Sequence, residues 1–274
     1  MNRASLLLSV VALAACAPQE LEDPRLHSQY DALFDAAGAE YDVPPELLKA
    51  LGYSLTRFQM LDSSDEFEGR VPTFGVMAVS ADISSDPRVR TDAATNIRTA
   101  AAWLRARADV DGIERRDVDA WQDIAADYAL LEHPEARVQF FRELQDLTGA
   151  PKAIGVLRQA ASPDYDLGVW RPSPNFNSRG SYTPQFVVIH TCEGGYSGCW
   201  SWQTNPNADV GAHYTVKEDG SEVTQLVRES DRGWHVAAAY QCGNNNGVRC
   251  DLNGVGTNSI SVGIEHGGYA SQTS

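Results

Sequence analysis

From Arg25 to about Ala160, apolar residues recur at helical spacing. Ile97, Ala100, Ala101 and Leu104 fall at i, i+3, i+4 and i+7, which makes a narrow apolar stripe along one face of a helix. The run DVPPELLKALGYSLTRF places prolines at a helix entry and then turns apolar. HPEARVQFFRELQDLTG starts a helix at Pro134 and stops it on Gly149, a C-cap. LDSSDEFEGRVP, residues 61–72, is polar and reads as a loop. After about residue 161 the pattern changes. SPDYDLGVWRPSPNFNSRGSYTP is rich in Pro, Ser, Asn and Gly and reads as a linker over 161–183. Short β-type runs follow, in FVVIHT, AHYTVKEDG, EVTQLVR and SISVGIE, and the Asp219-Gly220 step marks a hairpin. The chain is therefore expected to be α+β and multidomain, with an all-α region at 25–160 and an α/β region at 184–274.

The first residues carry a different signal. MNRASLLLSVVALAACAPQE has Arg3, an apolar run from Leu6 to Ala15, and then Cys16. The run is short for a bilayer and has the layout of a secretory signal. Leu13-Ala14-Ala15-Cys16 resembles the bacterial lipoprotein cleavage box, which implies a signal peptide over 1–16, a lipid on Cys16 and a tether over 17–24. An exported, membrane-anchored lipoprotein facing the periplasm or cell surface is the expectation, held by burial of acyl methylenes. A net charge of −15 argues against nucleic acid, whose phosphates would be repelled. Of the five cysteines, four remain after Cys16: Cys192, Cys199, Cys242 and Cys250. Cys192–Cys199 with Cys242–Cys250 is the simplest of three connectivities and suits an oxidising compartment. A four-cysteine metal site is the alternative, although the spacings are not CxxC.

FVVIHT ends a hydrophobic strand on His190, where any apolar residue would have served the core. An imidazole there suggests that the strand end opens onto something needing a ligand or a base. From about residue 184 onward, four pieces occur in order: FVVIHT; VGAHYTVKEDG; GWHVAA; and TNSISVGIE. In this order they resemble the zinc-dependent type-2 N-acetylmuramoyl-L-alanine amidases, which are related to peptidoglycan recognition proteins. The resemblance implies a central mixed β-sheet, Zn2+ as cofactor and a peptidoglycan (muropeptide) substrate. It gives His190 the role of zinc ligand and Glu265 that of water activation. Trp234 and His235 would line the substrate groove, with His235 able to donate to the carbonyl oxygen, and His213 would lie beside them, more a hydrogen-bonded strand residue than a ligand. The Cys192–Cys199 pair is also similar to a feature of that superfamily. The family's other zinc ligands, a His and an Asp or Cys, lie downstream of the Gly-Ile-Glu strand, whereas this sequence stops at Ser274. The α/β region is accordingly expected to be incomplete and the chain as given inactive, unless the metal is held by His190 with His213 or His235.

Residues 42–104 resemble, in part, the lysozyme-like fold of lytic transglycosylases. The likeness rests on DVPPELLKAL, on Gly75-Val-Met-Ala-Val-Ser and on Asn96-Ile-Arg-Thr-Ala-Ala-Ala-Trp-Leu. That family's acid closes the first of these helices, and the matching positions here are Leu55 and Thr56. Leucine cannot protonate a glycosidic oxygen, so glycan cleavage by this half is not expected. Two functions remain in competition: a cell-envelope amidase, and a peptidoglycan-binding lipoprotein that cuts nothing.

Overall fold

The computed structural model describes residues 23–63, 71–149 and 163–270. The segment read as a signal peptide, Cys16 and most of the stretch 61–72 read as a loop lie outside them.

Helices dominate the first half. α1 (Asp31–Tyr41) turns back through Asp42 into α2 (Pro45–Thr56), whose two leading prolines fit the open N–H positions of a helix start. A two-stranded ribbon, β1 (Thr73–Phe74) with β2 (Val79–Ser80), carries the Gly75–Ser80 stretch. α3 (Ala93–Asp111) follows, capped by the Asp92 side chain on the Thr95 N–H and closed by Gly112 at φ +64°. Its buried side is the stripe predicted from spacing, Ile97, Ala100, Ala101 and Leu104, extended by Asn96 and Ala108. Asn96 is fully buried yet satisfied: its amide accepts from Met77 N at 2.8 Å and donates to Phe74 O and Val89 O at 2.9 and 2.8 Å. α4 (Gln122–Tyr128) and α5 (Pro134–Thr148) complete the helical half, and α5 starts and stops where Pro134 and Gly149 predicted.

The stretch read as a linker is not one. β3 (Val169–Trp170) joins the main sheet beside β7 (Val223–Gln225), and β4 (Phe176–Ser178) pairs with β8 (Asp231–Gly233). Arg171, Ser173, Asn175 and Arg179 in this stretch are buried. Their polarity mimics a linker, but each finds hydrogen-bond partners inside the fold. The main sheet then gathers β5 (Phe186–Thr191), β6 (Tyr214–Val216), β7 (Val223–Gln225) and β9 (Ser261–His266), with α6 (Tyr196–Gln203) between β5 and β6 and β8 (Asp231–Gly233) outside it. Among the described residues its order is β3-β7-β6-β9-β5. β5, β9 and β6 run parallel while β7 is antiparallel to β6, so the sheet is mixed, as expected. Gly220, at φ +71°, makes the predicted β6–β7 turn.

The two halves share one core. Tyr196, Trp200, Leu226 and Val227 belong to the same buried cluster as Leu48, Leu104 and Phe140 of the helices. Trp200 is fully buried there; its indole N–H donates to Gln139 at 3.0 Å and the buried Arg171 guanidinium lies 4.4 Å from its ring centre. Two disulfides, Cys192–Cys199 and Cys242–Cys250, follow the short-range pairing.

Candidate active site

β5 and β9 are parallel neighbours, and their register sets His190 directly beside Glu265. Side chains of register partners point to the same face, so imidazole and carboxylate share a surface. Thr215 of β6 flanks Glu265 on its other side. Val187 and Ile189 alternate to the opposite face, where they are exposed. Glu265 is buried, whereas His190 is half-buried at the sheet's edge strand.

A second imidazole closes on the first. His235 lies with Nδ1 3.3 Å from His190 Nε2, the rings meeting edge-on. It can do so because position 263 is glycine: a Cβ there would come within 2.4 Å of the His235 ring. The small residue of the Gly-Ile-Glu strand is thus the floor beneath that ring. Asn258 fixes the loop from above, accepting from His235 N and Val236 N at 3.2 and 2.7 Å. The tautomer follows from the next bond along. Ser261 Oγ gives its proton to Thr257 O at 2.8 Å, so it must accept from His235 Nε2–H at 3.2 Å. His235 Nδ1 is therefore a bare lone pair aimed at His190, and His235 has no N–H left for a substrate carbonyl. The donor role expected of it does not fit this geometry.

His213 is fully buried beneath His235. It accepts at Nδ1 from Gly263 N (3.0 Å), and its Nε2 lies within hydrogen-bond distance of both Asp231 O (3.1 Å) and Arg179 Nη2 (2.8 Å). Both nitrogens are engaged, the geometry of a hydrogen-bonded strand residue. Arg179 packs against the same ring at 2.8 Å and also donates to Asn258 O, Ser261 O and Asp231 O at 2.9, 3.0 and 2.5 Å. Trp234 stays half-buried, its indole donating to Asn177 at 3.0 Å.

The electrostatics keep all three rings neutral at pH 7. Burial lowers His190 below its usual value. Burial takes His235 down to about 3, helped by His213, His190 and Arg179. His213 falls to about 4, again mainly through burial, with Arg179 opposing its charge. Neutral imidazole is the form that binds a metal. Two donors at tetrahedral angles on zinc, each about 2.0–2.1 Å from it, lie roughly 3.3 Å apart. The His190–His235 nitrogen separation matches that edge. A third protein ligand is not assembled with them among the described residues. The one cluster there, Cys192, Cys199 and Glu265, has both sulfurs tied up in a disulfide and unable to act as thiolates.

Sequence reading missed Arg179, Asn258, Ser261 and Gly263. Arg179 fell in the supposed linker, and the others were parts of a motif with no stated job. A cleft of about 780 Å3, moreover, lies along the seam between the halves rather than over His190.

Comparison with known proteins bears on the same residues. Residues 180–274 match the family model described as N-acetylmuramoyl-L-alanine amidase. N-acetylmuramoyl-L-alanine amidase A of Achromobacter lyticus is 33% identical over 108 residues, 39% of this chain and 51% of the relative. The chain thus spans about half the length of the curated relative it matches. A crystal structure of a selenomethionine AmpD derivative aligns over 43% of this chain and 69% of its own, at 22% identity and a TM-score of 0.31. The part of the chain that carries the likeness to N-acetylmuramoyl-L-alanine amidases is its C-terminal part, residues 180–274.

Proposed function

We propose that the C-terminal half hydrolyses the amide between the lactyl group of N-acetylmuramic acid and the L-alanine of the peptide stem. The observation that carries this reading is the pairing of His190 with Glu265 on adjacent parallel strands. In the reaction, water adds to the amide carbon, the C–N bond breaks, and the amine leaves with a proton. In this reading Glu265 takes the water's proton and returns it to the departing nitrogen. His190, neutral through burial, is the zinc ligand of this reading, with His235 Nδ1 the neighbouring donor. Zinc, when bound, supplies polarisation of the carbonyl and a water acidic near pH 7. Trp234, half-buried, offers the open part of its indole to the glycan or stem. Export through the signal segment and a lipid on Cys16 would hold the enzyme at the envelope, next to murein.

A second reading is favoured by one specific observation: the described residues assemble two metal-binding nitrogens rather than three ligands. A binder that recognises murein without cutting it would show that pattern. The full-length protein incubated with purified murein separates the two. Release of free peptide stems that stops on addition of a chelator and resumes with zinc supports the amidase. Sedimentation with murein and no release at any zinc concentration supports the binder. His190→Ala is expected to lose bound zinc; zinc retained by that variant would show the ligand to lie elsewhere.

A further inference from the structure

His190 and Glu265 stand next to the end of their ladder. Beyond them β5 and β9 share a single register pair, Thr191 with His266, and a closing hydrogen bond from Cys192 N to His266 O at 2.9 Å. Among the described residues β5 is also the last strand of the sheet, so no further strand flanks it. The end of such a ladder opens more easily than its centre. A catalytic pair, in contrast, has to keep its geometry to within about 0.5 Å. The two strands therefore need a tie just past the point where they leave the sheet.

Glu193 supplies one. Its Oε1 accepts from Thr191 Oγ1 at 2.9 Å and from Ala270 N at 2.8 Å. The first bond holds the end of β5, and the second holds the chain that leaves β9. Between them Gly194 is bridged to Gly268 by backbone bonds of 3.2 and 2.8 Å. Glu193 takes this place at φ +44°, the left-handed region that a residue with a side chain seldom enters. A glycine would enter that region freely but has no carboxylate to join the two donors.

The helical half backs the tie. Tyr269, next to the bridge, is buried and gives its hydroxyl proton to Leu55 O in the last turn of α2. Gly195 passes so close to that turn that a Cβ would lie 2.8 Å from Ser54 O. Ser197, in the first turn of α6, donates to Glu143 of α5 at 3.2 Å. The segments that follow His190 and Glu265 are thus both fixed against helices.

We infer that Glu193 is a positioning residue for turnover at the His190–Glu265 edge, clasping the ends of β5 and β9, with α2 bracing the clasp through Tyr269. It acts through the two strands and not on the reacting atoms. The role in turnover rests on the amidase reading, whereas the clasp rests on the bonds above.

Two measurements on the full chain, with zinc supplied, test it: amide hydrogen exchange along β5, and stem release from murein resolved into kcat and KM. Glu193→Ala should speed exchange at the Cys192 amide about tenfold. The Phe186 amide, bonded to Ile260 O at the other end of the strand, should not change. A general loss of stability would instead speed both. In the same variant kcat should fall about 10–100-fold, the usual worth of a group that orients the residues of a metal site, with KM little changed. Glu193→Gln keeps an oxygen able to accept both bonds and should hold exchange and kcat near the wild type. Tyr269→Phe should show the changes of Glu193→Ala on a smaller scale. Unchanged Cys192 exchange or unchanged kcat in Glu193→Ala overturns the inference, and so does a Glu193→Gln variant as damaged as Glu193→Ala. If Glu193→Ala does not fold, Tyr269→Phe decides, and no change in either measurement overturns the inference. Absence of stem release from the wild type is a failure of the amidase reading instead, and exchange at Cys192 then decides the clasp alone.

Discussion

The two halves of the molecule are held together by different physics. The helical half has an aliphatic interior, with Leu47, Leu48, Leu51, Ile97 and Leu104 all fully buried around Trp121. The half that carries the candidate active site buries Arg179, Gln203, His213, Thr215, Thr224, Gln225, Ser261 and Glu265 instead. Its separate apolar cluster amounts to the Cys192–Cys199 bridge with Trp202 and Val210. Burial of apolar area holds the first half, whereas the second depends more on its buried polar groups keeping the partners they have. The lesson is that a site needing neutral imidazoles and an enclosed carboxylate is built in a polar interior and leans on a neighbouring apolar one. Trp200, Leu226 and Val227 are where it leans.

This contrast breaks most sharply at Arg179. Its guanidinium serves the carbonyls of Glu229, Asp231, Asn258 and Ser261. Arg179→Met should cost about 3–5 kcal/mol, because several buried acceptors lose their donor together. Leu104→Ala, in the other interior, should cost about 2–5 kcal/mol through a cavity. Chemical denaturation measures both costs, and NMR distinguishes the two: only the arginine variant should also disturb the histidine ring signals. If Arg179→Met is neutral, the polar interior is not held as described.

Next in size is the Cys192–Cys199 bridge, which ties the end of β5 to α6 across a separation of seven residues. Chain entropy for so short a loop gives about 2–3 kcal/mol. Replacing both cysteines by serine should lower stability by that amount and loosen His190, two residues before the bridge.

The smallest effect is a pair of opposed pH dependences. His213 and His235 are held at about 4 and about 3, below the ordinary 6.5. The unfolded chain therefore binds more protons in acid, and their contribution is complete above pH 6.5 and lost as pH falls toward 4. Glu143, in the seam, is pushed by burial up to about 7 from 4.5. There the folded state holds the proton, so its contribution is present below about pH 4.5 and lost as pH rises through 7. Melting temperatures of wild type and Glu143→Gln from pH 4.5 to 7.5 should agree at the acid end, and the variant should be the more stable at the neutral end. Parallel profiles would show that the seam does not hold that carboxyl protonated.

How far the sequence could be read follows the same division. The α3 stripe and the Pro134 and Gly149 boundaries were legible because burial in a helix imposes a period that apolar residues record. His190 and Glu265 were legible as a pair only through motif order, since their adjacency comes from β5 and β9, which lie far apart in the chain. Residues 163–183 misled because buried Ser, Asn and Arg look like linker until their partners are seen. His213 was legible less as a ligand than as a hydrogen-bonded strand residue, and Gly263 N–H and Asp231 O lie at its two nitrogens.

The central claim is that the His190–Glu265 edge cuts an amide. Stem release from murein, measured on wild type and Glu265→Gln preparations of known zinc content, tests it most directly. The account predicts equal zinc in both and release slowed by about 10²–10⁴-fold in the variant, the usual worth of a general base. Release at the wild-type rate from Glu265→Gln would contradict it.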